Sequence, residues 1–443
     1  MNLNREILRL SVPAIVSNVT VPLLGLCDTA ISGHLGSEVF LGAIAVGSLM
    51  MSVVFRLFGF LRMGTTGLTA GAFGAADAAG IRDAFSRSLF LGLALGFGLV
   101  LLQGPLLASM LWIVGADAEV SDLAADYFNI CVWMAPAQMG VMALSGWFVG
   151  MQSTVRAMVV AIFINVVNIL SSFLLVFPME IGFRGVAYGT LIANWSGFIF
   201  ALFLAFGIAP EGGLWCGFTR LFRGEGLRRF FSVNTDLFIR SAAIMAVTMA
   251  VTAYSARLGA VALAANAVIQ QFFHFFSFFM DGYAFTGEAL VGRFFGAGDT
   301  VMLRRSVRSL LLWSAGIALL FTGIYMIGWR PVVALLTDDS EVRQFVADYH
   351  IWIILIPSVT VAAFIYDGFF IGVTGTRSML VATLAASAVF FATTLPFVRE
   401  NTLASGFTNN LLWLSFLSYL LVRGGSLAIV WHRRNGNFSC KSS

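Results

Sequence analysis

Charge is what this sequence has least of. Only 11% of its 443 residues are charged, against about a quarter in soluble domains, and a single lysine, Lys441, stands among 26 basic residues. So little charge excludes a soluble globular chain and leaves a membrane-embedded one. The mean hydropathy of +0.90 and the 59% of hydrophobic residues agree. A net charge of +4 gives no footprint for nucleic acid. Cysteine is also scarce: Cys27, Cys131, Cys216 and Cys440 show neither disulfide nor metal spacing, so no metal or cofactor is expected. A Gly-rich phosphate loop ending in Lys is missing, which excludes an ATP-driven engine. No nucleophile, base and donor stand at convergent spacing, so an enzyme is not expected. What the chain does have is 43 Phe, ten Trp and 45 Gly, which suit lipid-facing surfaces, bilayer interfaces and close helix approach.

A spanning helix needs about 20 mostly apolar residues. Such stretches number twelve, at roughly 6–33, 42–68, 83–106, 120–147, 155–177, 184–208, 231–257, 261–290, 305–328, 342–370, 377–397 and 405–431. The first resembles a signal peptide in its flanking Arg5 and Arg9, but it lacks a small-residue cleavage site and is read as span 1. An Arg-rich stretch, Arg220 to Arg229, divides the chain. The expected organisation is a six-helix bundle over 1–215, a cytoplasmic linker over 216–229, and a second six-helix bundle with a short cytoplasmic tail over 230–443. With both termini inside, eighteen basic residues fall on the inner side, Arg423 among them. Five fall outside (Arg184, Arg257, Arg330, Arg343, Arg399), and Arg56, Arg62 and Arg240 lie within spans. That bias sets the expected orientation, with both termini in the cytoplasm of a bacterial-type inner membrane.

The halves repeat at an offset near 222. Phe73-Gly74-Ala75-Ala76-Asp77 answers to Phe295-Gly296-Ala297-Gly298-Asp299, and Gly146-Trp147-Phe148-Val149-Gly150 to Gly368-Phe369-Phe370-Ile371-Gly372. Thr29 to Gly36 likewise answers to Thr252 to Gly259, and Asp117 to Tyr127 to Asp339 to Tyr349. Six spans per half give the repeats one orientation, the plan of transporters whose two bundles rock about a central site.

Ionisable and amide groups inside spans are costly and are functional candidates by default. Asp28 stands alone in span 1, after Pro13 and Pro22, which each remove a helical donor and should let the span bend. Burial disfavours the charged form of a carboxyl, making Asp28 a candidate ion-coupling residue. The competing reading is a wet or capping carboxylate near the outer end. Asn165, Asn168 and Ser172 share a face of span 5, and span 6 adds Thr190 and Asn194. Together they form a candidate polar network, or ordinary interhelical hydrogen bonding. In the second half His274, Asp281 and Glu288 recur every seven residues. Asp236 and Arg240, four apart, are read as a local ion pair. Asp367, following Tyr366, lines the second bundle or pairs with an Arg. Asp281, Glu288, Asp367, Arg240 and Tyr366 are the second-half candidates.

Three stretches carry a resemblance: Val21 to Gly36 around Asp28, Phe60 to Ala70, and Leu263 to Val268 with Asp281 to Gly292. Asp367 to Gly372 with Thr376 to Met379 fits as well. The chain resembles the multidrug and toxic compound extrusion (MATE) family, in its DinF-like branch. The resemblance implies efflux of organic, often cationic, compounds in exchange for protons or sodium. It implies that the span 1 acid, Asp28, is the coupling site, that Pro13 bends the span, and that Asn168 and Thr190 flank the acid. Many relatives carry a second carboxylate where this chain has Ser172. Near Ala363, sodium-coupled relatives of another branch carry an acid that is missing here.

The reading is therefore an all-α integral membrane protein of twelve helices in two parallel six-helix repeats. It acts as a proton-coupled antiporter for small organic substrates and is expected to be a monomer in the lipid bilayer. Sodium coupling, or flipping of lipid-linked precursors, is the alternative within transport, and a receptor without transport is the alternative outside it.

Overall fold

The computed structural model describes residues 2–34, 38–115, 117–222, 225–399 and 408–434. The chain is all α: α1 (Leu3–Gly33), α2 (Glu38–Leu57), α3 (Phe60–Gly74), α4 (Ala78–Leu101), α5 (Gln103–Val114), α6 (Ala118–Cys131), α7 (Ala135–Gly150), α8 (Thr154–Val176), α9 (Phe183–Phe206), the short α10 (Phe218–Leu221), α11 (Glu225–Arg257), α12 (Ala260–Gly296), α13 (Thr300–Leu336), α14 (Ser340–Gly372), α15 (Thr376–Arg399) and α16 (Asn409–Arg433). Among the described residues eleven helical stretches are long and apolar enough to cross a membrane, and α1, of 31 residues, is the twelfth span. The second span is α2 and α3, interrupted at Phe58 and Gly59. The fourth is α6 and α7, joined by a 3-10 turn at Val132–Met134. The third span is followed by α5, an apolar helix whose first four residues fall in the expected span 83–106 and whose remainder falls in the stretch between spans. It ends on Gly115 at φ 60°, a left-handed conformation that glycine adopts without strain.

The chain divides into two compact units, Val12–Asn234 and Thr235–Ser443, the latter together with Met1–Ser11. The division falls inside α1, just before Pro13. The first residues of α1 join the later unit through bonds of their own: Arg293 pairs with Glu6 at 2.8 Å, and Trp313 Nε1 donates to Asn4 Oδ1 at 3.3 Å.

The internal repeat is visible in the backbone of each unit. Asp77 and Asp299 both cap the helix that follows, and the residues before them, Ala76 and Gly298, both have positive φ, 54° and 69°. The paired glycines do the same work twice. In the first unit a Cβ on Gly146 would run into the carbonyl oxygen of Arg62, and one on Gly150 would lie 2.9 Å from that of Thr66. In the second, Gly368 meets the carbonyl of Ala284 in the same way, and Gly372 that of Glu288, again at 2.9 Å. Small residues at i and i+4 let two backbones touch, so α7 lies on α3 and α14 on α12. The first unit's core gathers Phe85, Trp147, Phe148 and Phe198.

Candidate functional site

The polar residues of the first unit meet where α8 and α9 come closest. Gly185, Gly189 and Gly197 line the contact on α9, and the space a Cβ would take at Gly189 is filled by Ser172. This close approach carries Asn168 across to Thr190: its Nδ2 donates to Thr190 Oγ1 at 3.0 Å. Thr190 has already spent its proton on the Val186 carbonyl at 3.0 Å. Its oxygen can therefore only accept, and the Asn168 amide must present Nδ2 there and turn Oδ1 away. Among the described residues that Oδ1 is buried and has no partner, and the same holds for Ser172 Oγ one turn further along α8. Asn168 is 1% exposed and Ser172 0%. A buried oxygen without a partner costs about 1–3 kcal/mol, and each of these two has a lone pair open to a donor.

Asn194 extends the cluster one turn along α9, donating to the Thr190 carbonyl at 2.9 Å and lying 3.3 Å from Met134 Sδ. Asn165 reaches a different helix, donating to the Thr20 carbonyl of α1 at 3.3 Å. Helical spacing along the chain does not point to that bond. Pro13 is buried in α1, which continues as one helix through it. Asp28 lies in α1, but its side chain and that of Pro22 lie outside the described residues.

The second unit holds a buried charge cluster. Arg240 of α11 pairs with Oδ2 of Asp367 on α14, and Arg423 of α16 shares that oxygen at 3.3 Å. Arg423 also donates to Tyr419 Oη at 3.2 Å, and Asp281 of α12 acts on it electrostatically. All three members of the core triad are at most 8% exposed. The local pair expected between Asp236 and Arg240 does not form. Asp236 instead accepts from Thr376 Oγ1 at 3.0 Å and faces Arg377 at 3.6 Å. Four residues of helix bring two side chains to one face, but packing brought a carboxylate from another helix closer to the guanidinium. Arg423, counted among the inner basic residues, is buried inside α16. Its signal was available, since it stands well before residue 431, where the span was drawn to end. Glu288 is 1% exposed on α12. Tyr366 packs on Phe369 and His432. His274 and Asp281 are half-buried.

A further amide tie, unmarked in sequence, closes the other end of this unit. Asn266 donates to Ser255 Oγ at 2.9 Å and Asn409 Oδ1 at 2.7 Å, and accepts from Trp413 Nε1 at 2.8 Å. The Asn266 amide uses both of its donors and its oxygen, while Asn409 Nδ2 is buried without a partner among the described residues. Among the described residues no group of three or more His, Cys, Asp or Glu is placed to hold a metal ion.

Comparison with known proteins gives a consistent picture. A family model described as MatE matches residues 13–174 and again 237–394, one match in each half. The chain is 34% identical over 439 residues to the DNA damage-inducible protein F of Escherichia coli (strain K12), covering 98% of this chain and 94% of that one. It is 24% identical to a probable multidrug resistance protein NorM of a Synechocystis species, over 76% of this chain and 74% of that one. Its fold matches that of a MOP superfamily transporter from Pyrococcus furiosus Vc1 with a TM-score of 0.83 at 16% identity, over 98% of this chain and 96% of the other.

Proposed function

This chain belongs to the MatE family and is a multi-pass secondary transporter, and from that premise we propose that it exports small organic compounds, cations foremost, in exchange for protons. The observation that carries the reading is the pair of buried, unpartnered oxygens, Asn168 Oδ1 and Ser172 Oγ. As first and fifth spans, α1 and α8 run the same way through the bilayer, and Asn165 ties them at Thr20. From that level Asp28 is about 12 Å along α1 and Ser172 about 10 Å along α8, at 1.5 Å per residue. Residue 28 therefore stands near the height of Ser172, about 7 Å beyond that of Asn168.

An ionised carboxylate only accepts hydrogen bonds, whereas a protonated one donates. The ionised form of Asp28 attracts a cationic substrate. The protonated form loses that attraction and offers its O–H to an acceptor such as Ser172 Oγ. Proton and substrate thus exclude one another at one residue, which is the requirement for exchange. Pro13 and Pro22 leave α1 short of two backbone hydrogen bonds, so the span can change its bend as the occupant changes. One charge moved through 100 mV supplies about 2.3 kcal/mol. With Ser172 in place of a second carboxylate, the site has a single anionic oxygen donor group, which favours a proton over a sodium ion as the coupling ion. In this reading the protein works as a monomer in the inner membrane, both termini in the cytoplasm.

The test is efflux from proteoliposomes of organic cations and bile-salt-like anions, with pH and sodium gradients imposed separately. A pH gradient alone should drive export by the wild type and none by Asp28→Asn that still elutes as a folded protein. Undiminished transport by Asp28→Asn would overturn the assignment, and export driven by sodium alone would replace the proton.

A further inference from the structure

The starts of α4 and α13 are equivalent in the repeat, and they differ in how their polar groups are used. Each helix begins at a capping aspartate, Asp77 or Asp299. In the first unit the next polar positions are Arg82, Asp83 and Ser86, and the chain after α9 covers all three. Arg82 donates to the Glu211 carbonyl, Asp83 pairs with Arg220 at 3.0 Å, and Ser86 Oγ accepts from the Cys216 amide at 2.9 Å. Moving on by the repeat offset, the second unit has Arg304, Arg305 and Arg308. All three are exposed. Residues 435–443 contain no Asp or Glu.

The place of these arginines on the helix says which anion fits them. Arg308 and Arg305 lie four and seven residues before Leu312, on one face of α13. That face continues through Leu312, 66% exposed, Leu319, 69%, and Ile327, 86%. An exposed apolar face on a spanning helix meets acyl chains, and the basic groups one turn beyond it stand at headgroup level, where long side chains reach the phosphates. A dissolved anion would use the charge alone. A lipid uses both the charge and the leucine face beneath it.

We propose that Arg304, Arg305 and Arg308 form a binding site on the second unit for the headgroups of anionic phospholipids. This goes beyond the transport reading and does not depend on which compound is exported.

The test is lipid retention by the purified full-length chain, measured by native mass spectrometry after reconstitution in equimolar phosphatidylglycerol and phosphatidylcholine. The wild type should retain phosphatidylglycerol preferentially, and the preference should fall roughly fivefold per arginine in the Arg304→Gln, Arg305→Gln, Arg308→Gln series. The triple lysine variant should keep most of it, which separates lost charge from lost folding. Arg330→Gln, at the far end of the same helix, should change nothing. Equal retention by wild type and the triple Gln variant, or an equal loss in Arg330→Gln, would overturn the site. Displacement of the lipid by millimolar inorganic phosphate would overturn its assignment to lipid.

Discussion

Asn168 donates its side-chain amide to Thr190 Oγ1 across the α8–α9 contact at 3.0 Å, and this bond decides which end of the amide is left over. Because the threonine proton is committed to Val186, the carbonyl end of Asn168 is the one that stays open.

Thr190→Val keeps the shape and removes the acceptor. It should strand the Asn168 amide at a cost of about 1–3 kcal/mol, lowering the melting temperature in detergent, and it frees the amide to turn. Proton-driven efflux should fall more than folded yield does. Thr190→Ser should restore both, because the hydroxyl is the working group. Equal transport by Thr190→Val and wild type would show that the orientation of Asn168 does not matter to the cycle.

Gly189→Ala tests the approach of the two helices. Its Cβ would enter the volume of Ser172, and overpacking of this kind costs about 1–3 kcal/mol. The companion change Ser172→Gly should recover part of that loss, since the two residues compete for one space. A double-mutant cycle on thermal stability reads the coupling. Strict additivity would argue that the helices separate freely there.

The charge cluster predicts an asymmetry between two aspartates. Asp367→Asn leaves two buried guanidinium groups to face one another and should cost about 3–5 kcal/mol, as breaking a buried pair does. Asp236→Asn should cost much less, because its ionic partner Arg377 is 79% exposed and water can replace the carboxylate. Parallel thermal unfolding of the two variants in detergent checks the order. A larger loss for Asp236→Asn would contradict the pairing described for Arg240.

The repeat makes a prediction about Gly146 and Gly368. Alanine at either position pushes a methyl group into a backbone carbonyl of the facing helix, which cannot yield as a side chain can. Both variants should lose stability by a similar amount, about 1–3 kcal/mol, although they lie in different halves. Folded yield and melting temperature measure it. A loss at one position alone would mean that the halves do not share this contact.

Much was legible in the sequence because the bilayer leaves few options. Twelve apolar runs of spanning length, the offset repeat, and the glycines four apart follow from hydropathy and from the need for backbones to touch. Asn168, Ser172, Thr190 and Asn194 could be named as polar groups inside spans, since a polar residue in an apolar run has nowhere cheap to go. The partners could not be named. Asn165 finds a carbonyl of α1, and Arg240 finds Asp367, 127 residues away. Local spacing offered Asp236 and was overruled. Helical periodicity specifies which side chains share a face. Which helix that face meets depends on small residues admitting one neighbour and excluding others, and a buried charge then pairs with whatever counter-charge that packing places within reach. Sequence alone therefore determined the number and polarity of the helices, and only the tertiary structure decided the bonds between them.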